Sequence, residues 1–234
     1  MITRRCLLQA AALAPAALTL RSQQPAAQGE LYQRYLRGIA ATPRGPEWDS
    51  QLLTTGPQYV LYLELAKLAT GQPIDPKAFD SALSYIKDRR DCMEFGLSAV
   101  LRILYLYGED PRIQSSLRER LERTVLDFRY WLYPDDPYAQ IKNCNHTENH
   151  DVLFSSAELL AGQLYPDRTF TWKNKPGVWH QEHGRRFLTS WLSVRAKYGF
   201  SEWIAPGYYN EDFIGLFNVI DFAKDPEIAK AARA

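Results

Sequence analysis

The sequence has little cysteine, no excess of charge of either sign and no visible repeat. It carries 28 basic and 27 acidic residues, so it produces no field that attracts nucleic acid and no basic face for a membrane surface. No self-similarity at about 34 or 40 residues is visible, which disfavours a solenoid. We therefore expect a partner that is neutral or is held by a few local charges, and neither nucleic acid nor a membrane.

Several motifs of common enzyme classes are also missing. The sequence has no glycine-rich phosphate loop, no Gly-x-Ser-x-Gly nucleophile elbow and no dinucleotide fingerprint. It also lacks the His-Glu-x-x-His pattern of zinc helices. The sequence therefore predicts no cofactor.

An apolar segment follows paired arginines at the amino terminus. Arg4 and Arg5 precede an apolar run that continues to Leu20, which is the layout of a twin-arginine export signal. The run has about 15 residues, fewer than the roughly 20 of a membrane-spanning helix. We predict an export signal over 1–27, a domain over 28–234 and a periplasmic or secreted protein. A soluble amphipathic helix is the alternative for the first segment.

Two cysteines remain once the predicted signal is removed. Cys92 and Cys144 could form one disulfide in an oxidising compartment. Two separate buried thiols are an equally good interpretation, because spacing alone does not fix their geometry.

Apolar residues recur at helical spacing along almost the whole chain, and no convincing alternating strand is present. The patterned segments are 31–41, 48–69, 76–88, 93–107, 113–132, 148–164, 178–198 and 212–223. Short turns rich in glycine and proline separate them, which favours antiparallel neighbours. The sequence therefore predicts an all-α fold of helical hairpins, arranged as a bundle, a solenoid or an α/α toroid.

Polar groups gather at two places where a core has no use for them. Residues 146–150, His-Thr-Glu-Asn-His, open an apolar helix, and residues 201–212 form a second polar and aromatic cluster. All four histidines lie between His146 and His183. Because the two clusters lie on separate helices, they could face one cleft.

These clusters resemble the toroid domains of heparinase-type and alginate-lyase-type polysaccharide lyases. The resemblance rests on residues 143–166 and 198–225, with the Asn149-His150 pair followed by a tyrosine at the start of a later helix. Ala205-Pro206 stands where the family has Ser-Pro, and Tyr208 and Tyr209 compete for the tyrosine role. The family has further toroid helices and a β-sandwich domain, so the resemblance implies a partial α/α toroid, possibly incomplete at its carboxyl end.

The resemblance implies β-elimination on a uronic-acid polysaccharide. His150 would remove the C5 proton, Asn149 would neutralise the substrate carboxylate, and Tyr208 or Tyr209 would protonate the leaving oxygen. The candidates for holding the substrate are Arg185, Arg186 or Arg195 as a guanidinium fork, together with Glu148, Glu202 and Trp203.

Other interpretations use the same residues differently. His146, His150, His180 and His183 are spaced for a metal site, and Glu148, Asp151, Glu202, Glu211 and Asp212 offer the carboxyl pair of a glycoside hydrolase. A sugar-binding protein without catalysis is the third alternative. Asn149 and His150 could also simply begin a helix, with Tyr208 and Tyr209 as ordinary packing residues.

Overall fold

The computed structural model describes residues 26–43, 56–131, 147–202 and 205–234, and within them the chain is mostly α-helical. The predicted all-α class is confirmed. The helices are α1 (Ala26–Ala40), α2 (Gly56–Ala69), α3 (Ala78–Lys87), α4 (Met93–Tyr107), α5 (Ser115–Leu126), α6 (Glu148–Leu164), α7 (Gly177–Tyr198), α8 (Pro206–Phe222) and α9 (Pro226–Arg233).

One short antiparallel hairpin interrupts the helices, and the sequence pattern did not predict it. Strand β1 (Thr169–Phe170) pairs with β2 (Lys175–Pro176) around a 3-10 turn. None of the helices in the described ranges is long and apolar enough to cross a membrane. The predicted export signal, apart from its last two residues, and the predicted partner Cys144 lie outside the described residues.

Helix α6 is the centre of the fold. It packs against α4, α7 and α8, and 15 of its 17 residues are buried. A helix buried all round is normally apolar, yet the buried face of α6 includes Glu148, Asn149, His150 and Glu158. These polar groups must find partners inside the protein, and they define the two polar clusters described below.

Helices α2, α4, α6 and α8 run in the same direction, with their amino termini at one end of the molecule. Arg112, just after α4, donates to the carbonyl oxygens of Leu68 and Gln72 at the end of α2, both at 3.1 Å. The hydroxyl of Tyr105, near the end of α4, donates to the Leu160 carbonyl late in α6 at 2.8 Å. The groups that begin these helices therefore lie together.

Helix α7 runs antiparallel to α6. Trp191 Nε1, late in α7, donates to the carbonyl of Glu148 at the start of α6 at 3.0 Å. Near the middle of α7, Gly184 lies so close to α6 that a Cβ there would be 2.4 Å from Leu159 N and 2.9 Å from Ser155 O. The two backbones are in contact at this point.

We expect Gly184→Ala to destabilise the fold by about 1–3 kcal/mol or more, because the added methyl group would push α7 away from α6. Urea unfolding of the variant measures this cost. Gly38→Ala on α1 is the matched control, since among the described residues no other helix or side chain lies within 4 Å of the added Cβ. That control should gain roughly 0.5–1 kcal/mol from the better helix propensity of alanine. Equal effects of the two changes would contradict the close packing of α6 and α7.

Candidate active site

The amino-terminal turns of α4, α6 and α8 bring acidic and amide groups together. Glu94 comes from α4, Asn149 and His150 from α6, and Glu211 and Asp212 from α8. Glu94, Asn149, His150 and Asp212 are all buried, whereas Glu211 is half-buried. We call Glu94, Glu202, Glu211 and Asp212 the acidic cluster.

His150 is held by Glu94. Its Nδ1 contacts the Glu94 Oε1 atom, and because a carboxylate can only accept, Nδ1 carries the proton of this bond. Burial lowers the pKa of His150, but the hydrogen bond and charge of Glu94, with the charges of Asp91 and Glu211, outweigh it and raise the pKa overall. His150 therefore holds a proton to higher pH than an ordinary histidine, whereas the resemblance implies a neutral base.

Asn149 links α6 to α8. Its Oδ1 accepts from Thr147 Oγ1 at 2.5 Å, and its Nδ2 donates to Glu211 Oε2 at 2.5 Å. Both ends of the amide are thus fixed. Burial raises the pKa of Glu211, and the charges of Glu202 and Glu94 add to this against the opposing effects of Asn149 and His150. Glu211 is a partly accessible carboxyl group that holds its proton to higher pH than usual.

Asp212 is the most unusual group of the cluster. It has 0% exposure, and neither carboxyl oxygen has a hydrogen-bond partner within the described ranges. Burial raises its pKa to about 7, assisted by the charges of Glu202 and Glu211 and opposed by that of Arg195. A buried carboxyl group without partners costs stability, and such groups concentrate at functional sites.

The raised pKa of Asp212 predicts that the free energy of unfolding depends on pH. An acid whose pKa is higher in the folded chain keeps its proton longer there, so its contribution to stability falls as the pH rises from its ordinary value of 3.8 to about 7. We expect Asp212→Asn to gain stability relative to the wild type across this window, and the difference to level off above it. The measurement is the free energy of unfolding in urea between pH 4.5 and 8. Asp167→Asn, at an exposed position, is the control, and a difference that does not change with pH for Asp212→Asn would contradict the prediction.

Glu148 and Arg195 form an ion pair that positions the neighbouring 201–202 segment. Arg195 Nη1 contacts Glu148 Oε1, and Glu148 Oε2 accepts from Ser201 N at 2.8 Å, from Ser201 Oγ at 2.7 Å and from Glu202 N at 3.1 Å. This pair ties the 201–202 segment to the start of α6 and so brings Glu202 close to Asp212. Substrate binding by Glu148 and Arg195 stays a prediction.

The two tyrosines lie on the first turns of α8, next to Glu211. Tyr208 is 48% exposed, and Tyr209 is half-buried with its ring 5.5 Å from that of Phe200. The helix that carries them begins six residues earlier than the pattern at 212–223 predicted, because Pro206 suits the first helical turn. Their assignment as the acid stays a prediction, and Trp203 lies outside the described residues.

Arg185 does not lie near this site. It precedes Arg195 on α7 by 10 residues, which corresponds to about 15 Å along the helix. Its Nε and Nη2 atoms both donate to the carboxylate of Glu182 at 2.7 Å. Arg185 is therefore a surface residue paired on its own helix. Its position does not support the prediction that it binds the substrate of this site.

The histidines form two separate groups, which corrects the four-histidine metal interpretation. His180 Nδ1 and His183 Nδ1 donate to the two oxygens of Glu158 at 2.8 and 2.7 Å. Glu158 follows His150 by two turns on α6, which separates the groups by about 12 Å. His146 lies outside the described residues. Periodicity could not reveal this, because the partner of each pair comes from another helix.

A different set of possible metal ligands lies beside the acidic cluster. Asp91, Cys92 and His150 place one ligand atom each within 4.8 Å of one another, and in the described part of the chain they are the one such group of three. The thiol, imidazole and carboxylate are donors that suit zinc. Two of these ligands precede α4, where the sequence pattern indicated only a helix start.

Glu94 is the site residue that the sequence analysis missed. It interrupts the apolar run of α4 on a helix whose first nine residues are all buried. A single charge inside such a run was the signal that could have identified it.

No protein-family model, no curated protein and no solved structure matches this chain.

Proposed function

We propose that this protein is an enzyme that cleaves glycosidic bonds, with Glu211 and Glu202 as its reacting carboxyl groups. The observation that carries the proposal is the acidic cluster at the helix amino termini, where Glu211 is partly accessible and has a raised pKa. Carboxyl groups held in different protonation states are what glycosidic cleavage requires.

The proposed reaction is hydrolysis. Glu211, in its acid form, donates a proton to the glycosidic oxygen as the bond from that oxygen to C1 breaks. Glu202, as a carboxylate, takes a proton from the water that adds to C1, so one product gains the hydroxyl and the other keeps the proton. One oxygen of Glu202 is buried without a hydrogen-bond partner in the described part of the chain, so no described protein donor competes for it.

Buried residues support these two groups. Asn149 holds Glu211 in position, while Glu94 and His150 form a coupled pair that can return a proton to the site. Asp212, protonated below about pH 7, limits the negative charge beside Glu202. The Glu148 and Arg195 pair positions Glu202 through its backbone amide.

The charge of the site favours a neutral sugar over a uronic acid. Glu202 acts as a carboxylate in the proposed reaction, and Arg195, whose positive charge lowers the pKa of Asp212, is already paired with Glu148. A uronate would bring a further negative charge into this environment, and like charges at short range are costly. This argument places hydrolysis ahead of the elimination that the family resemblance implies.

Elimination remains the second candidate, because Asn149 and His150 adjoin the turn that carries Tyr208 and Tyr209. Asn149 Nδ2 holds a carboxylate at 2.5 Å, as it would hold the carboxylate of a uronate. In that reaction a base removes the C5 proton, the bond from C4 to its oxygen breaks, and Tyr208 or Tyr209 protonates the leaving oxygen.

One product assay separates the candidates. We expect neutral polysaccharides to yield new reducing ends without ultraviolet absorbance, because hydrolysis leaves no double bond. Unsaturated products from alginate, heparinoid, hyaluronan or pectic substrates would instead establish elimination and overturn hydrolysis. Binding without turnover on the whole panel would refute both enzymatic proposals and favour a sugar-binding protein.

We also propose that the helices form part of an α/α toroid. The common direction of α2, α4, α6 and α8 supports this, since the inner helices of such a ring are parallel. The antiparallel return of α7 along α6 is the pairing expected between an inner and an outer helix. Its active site would then lie at the end where the inner helices begin.

A further inference from the structure

A cavity of about 300 Å³ lies between α2, α4 and α8, away from the reacting carboxyl groups. Its lining includes Tyr62, Ser98, Arg102, Phe217, Asn218 and Asp221. It follows the same faces of α4 and α8 that carry Glu94 and Glu211 at their beginnings. Ser98 and Arg102 are one and two turns beyond Glu94, or about 6 and 12 Å along the helix.

One polar group in this cavity is left without a partner. Ser98 is 2% exposed, and its Oγ makes no hydrogen bond within the described ranges. A buried serine in a helix ordinarily donates to a carbonyl one turn earlier, as Ser155 does to Asp151 at 2.6 Å. Ser98 is among the residues that line the cavity, where a ligand hydroxyl could satisfy its unpaired oxygen.

The remaining polar groups form a fixed and electrically balanced wall. Arg102 Nε donates to Asn218 Oδ1 at 2.8 Å and its Nη2 donates to Asp221 Oδ2 at 2.6 Å. Asn218 Nδ2 donates in turn to the Ser98 carbonyl at 2.9 Å. Because Arg102 and Asp221 neutralise each other, the wall offers donors and acceptors without net charge, which suits a polyhydroxylated neutral ligand.

An aromatic ring completes the cavity. Phe217 is 54% exposed, so its face is available to stack on the C–H face of a sugar ring. We propose that this cavity binds a neutral pyranose unit, one or two sugar units from the bond that is cleaved. The claim that the cavity binds a sugar depends only on the cavity itself. The claim that the cavity is a subsite of the cleavage reaction rests on the proposed function.

The test measures binding of neutral tetrasaccharides by calorimetry in a Glu211→Gln background, so that the probe is not consumed. The probes are cellotetraose, xylotetraose, laminaritetraose and maltotetraose. We expect one of them to bind, and Ser98→Ala and Phe217→Ala each to raise its Kd about tenfold, as the loss of one hydrogen bond or one stacking contact would. Ser155→Ala and Phe213→Ala are the matched controls, since both lie outside the cavity lining, and they should leave the Kd unchanged.

The outcomes separate this inference from the proposed function. Binding that depends on Ser98 and Phe217, in a protein whose wild type cleaves nothing, would support the cavity and refute the enzyme. Failure of all four probes to bind, or binding that neither cavity variant weakens, would refute the cavity. A further outcome is that Phe213→Ala and Phe217→Ala change self-association in the same way and neither changes the sugar affinity. The α8 face would then be a contact between copies, and the cavity proposal would be refuted.

Discussion

Glu211→Gln is expected to lower kcat for glycosidic cleavage about 10²–10⁴-fold, the usual contribution of a general acid. Glutamine keeps the volume and the oxygen that accepts from Asn149, so the fold should persist. It cannot donate an acidic proton. The measurement is kcat on the substrate found by the product assay, with the unfolding transition recorded in parallel.

The matched control for this variant is Glu227→Gln, a surface glutamate whose side chain is 81% exposed. Its kcat should equal that of the wild type. Activity of Glu211→Gln within a few-fold of the wild type would show that Glu211 is not the proton donor. Loss of activity together with loss of the unfolding transition would show that Glu211 acts in folding and would also contradict its catalytic role.

Glu158→Ala is expected to cost about 3–5 kcal/mol of unfolding free energy, which is the largest stability effect predicted for this protein. Glu158 has 0% exposure and accepts from His180, His183 and Trp131. Alanine would leave two buried histidines and the half-buried Trp131 without their acceptor and would open a cavity. Urea unfolding at pH 7 measures the cost.

Two further variants test the cause of that cost. Glu158→Gln should fall between alanine and the wild type, because its amide oxygen still accepts although its NH₂ group faces other donors. Glu182→Ala, at an exposed glutamate that pairs with Arg185 on the same α7 helix, should not change the unfolding free energy measurably. If Glu158→Ala unfolds within about 1 kcal/mol of the wild type, the three hydrogen bonds do not stabilise the core.

The helices were largely predictable from the sequence, and the errors have local causes. The patterns at 93–107 and 148–164 coincide with α4 and α6. The pattern at 113–132 is longer than α5, which ends at Leu126, because Phe128 and Tyr130 are buried in the core from a non-helical segment. The spacing of apolar residues shows which positions are buried. It does not show whether the backbone between those positions is helical.

The patterned segments of the sequence end at residue 223, and the structure adds one further helix, α9. Asp225-Pro226 begins α9, with the Asp225 carboxylate accepting from Glu227 N at 3.0 Å and Ile228 N at 3.4 Å. Aspartate as a cap and proline in the first turn are standard helix-start chemistry.

The sequence by itself determined the helices and the unusual polar residues near the amino termini of two of them. Both features depend on residues that are neighbours in the sequence. Asn149, His150 and the 201–212 segment were identifiable in this way. Tertiary structure decided which groups meet. Glu94 precedes His150 by 56 residues, and Asn149 precedes Glu211 by 62, so their contacts exist only because α4, α6 and α8 pack in the same direction. The raised pKa values of Glu211 and Asp212 follow from that packing, because burial and the approach of like charges are properties of the folded chain.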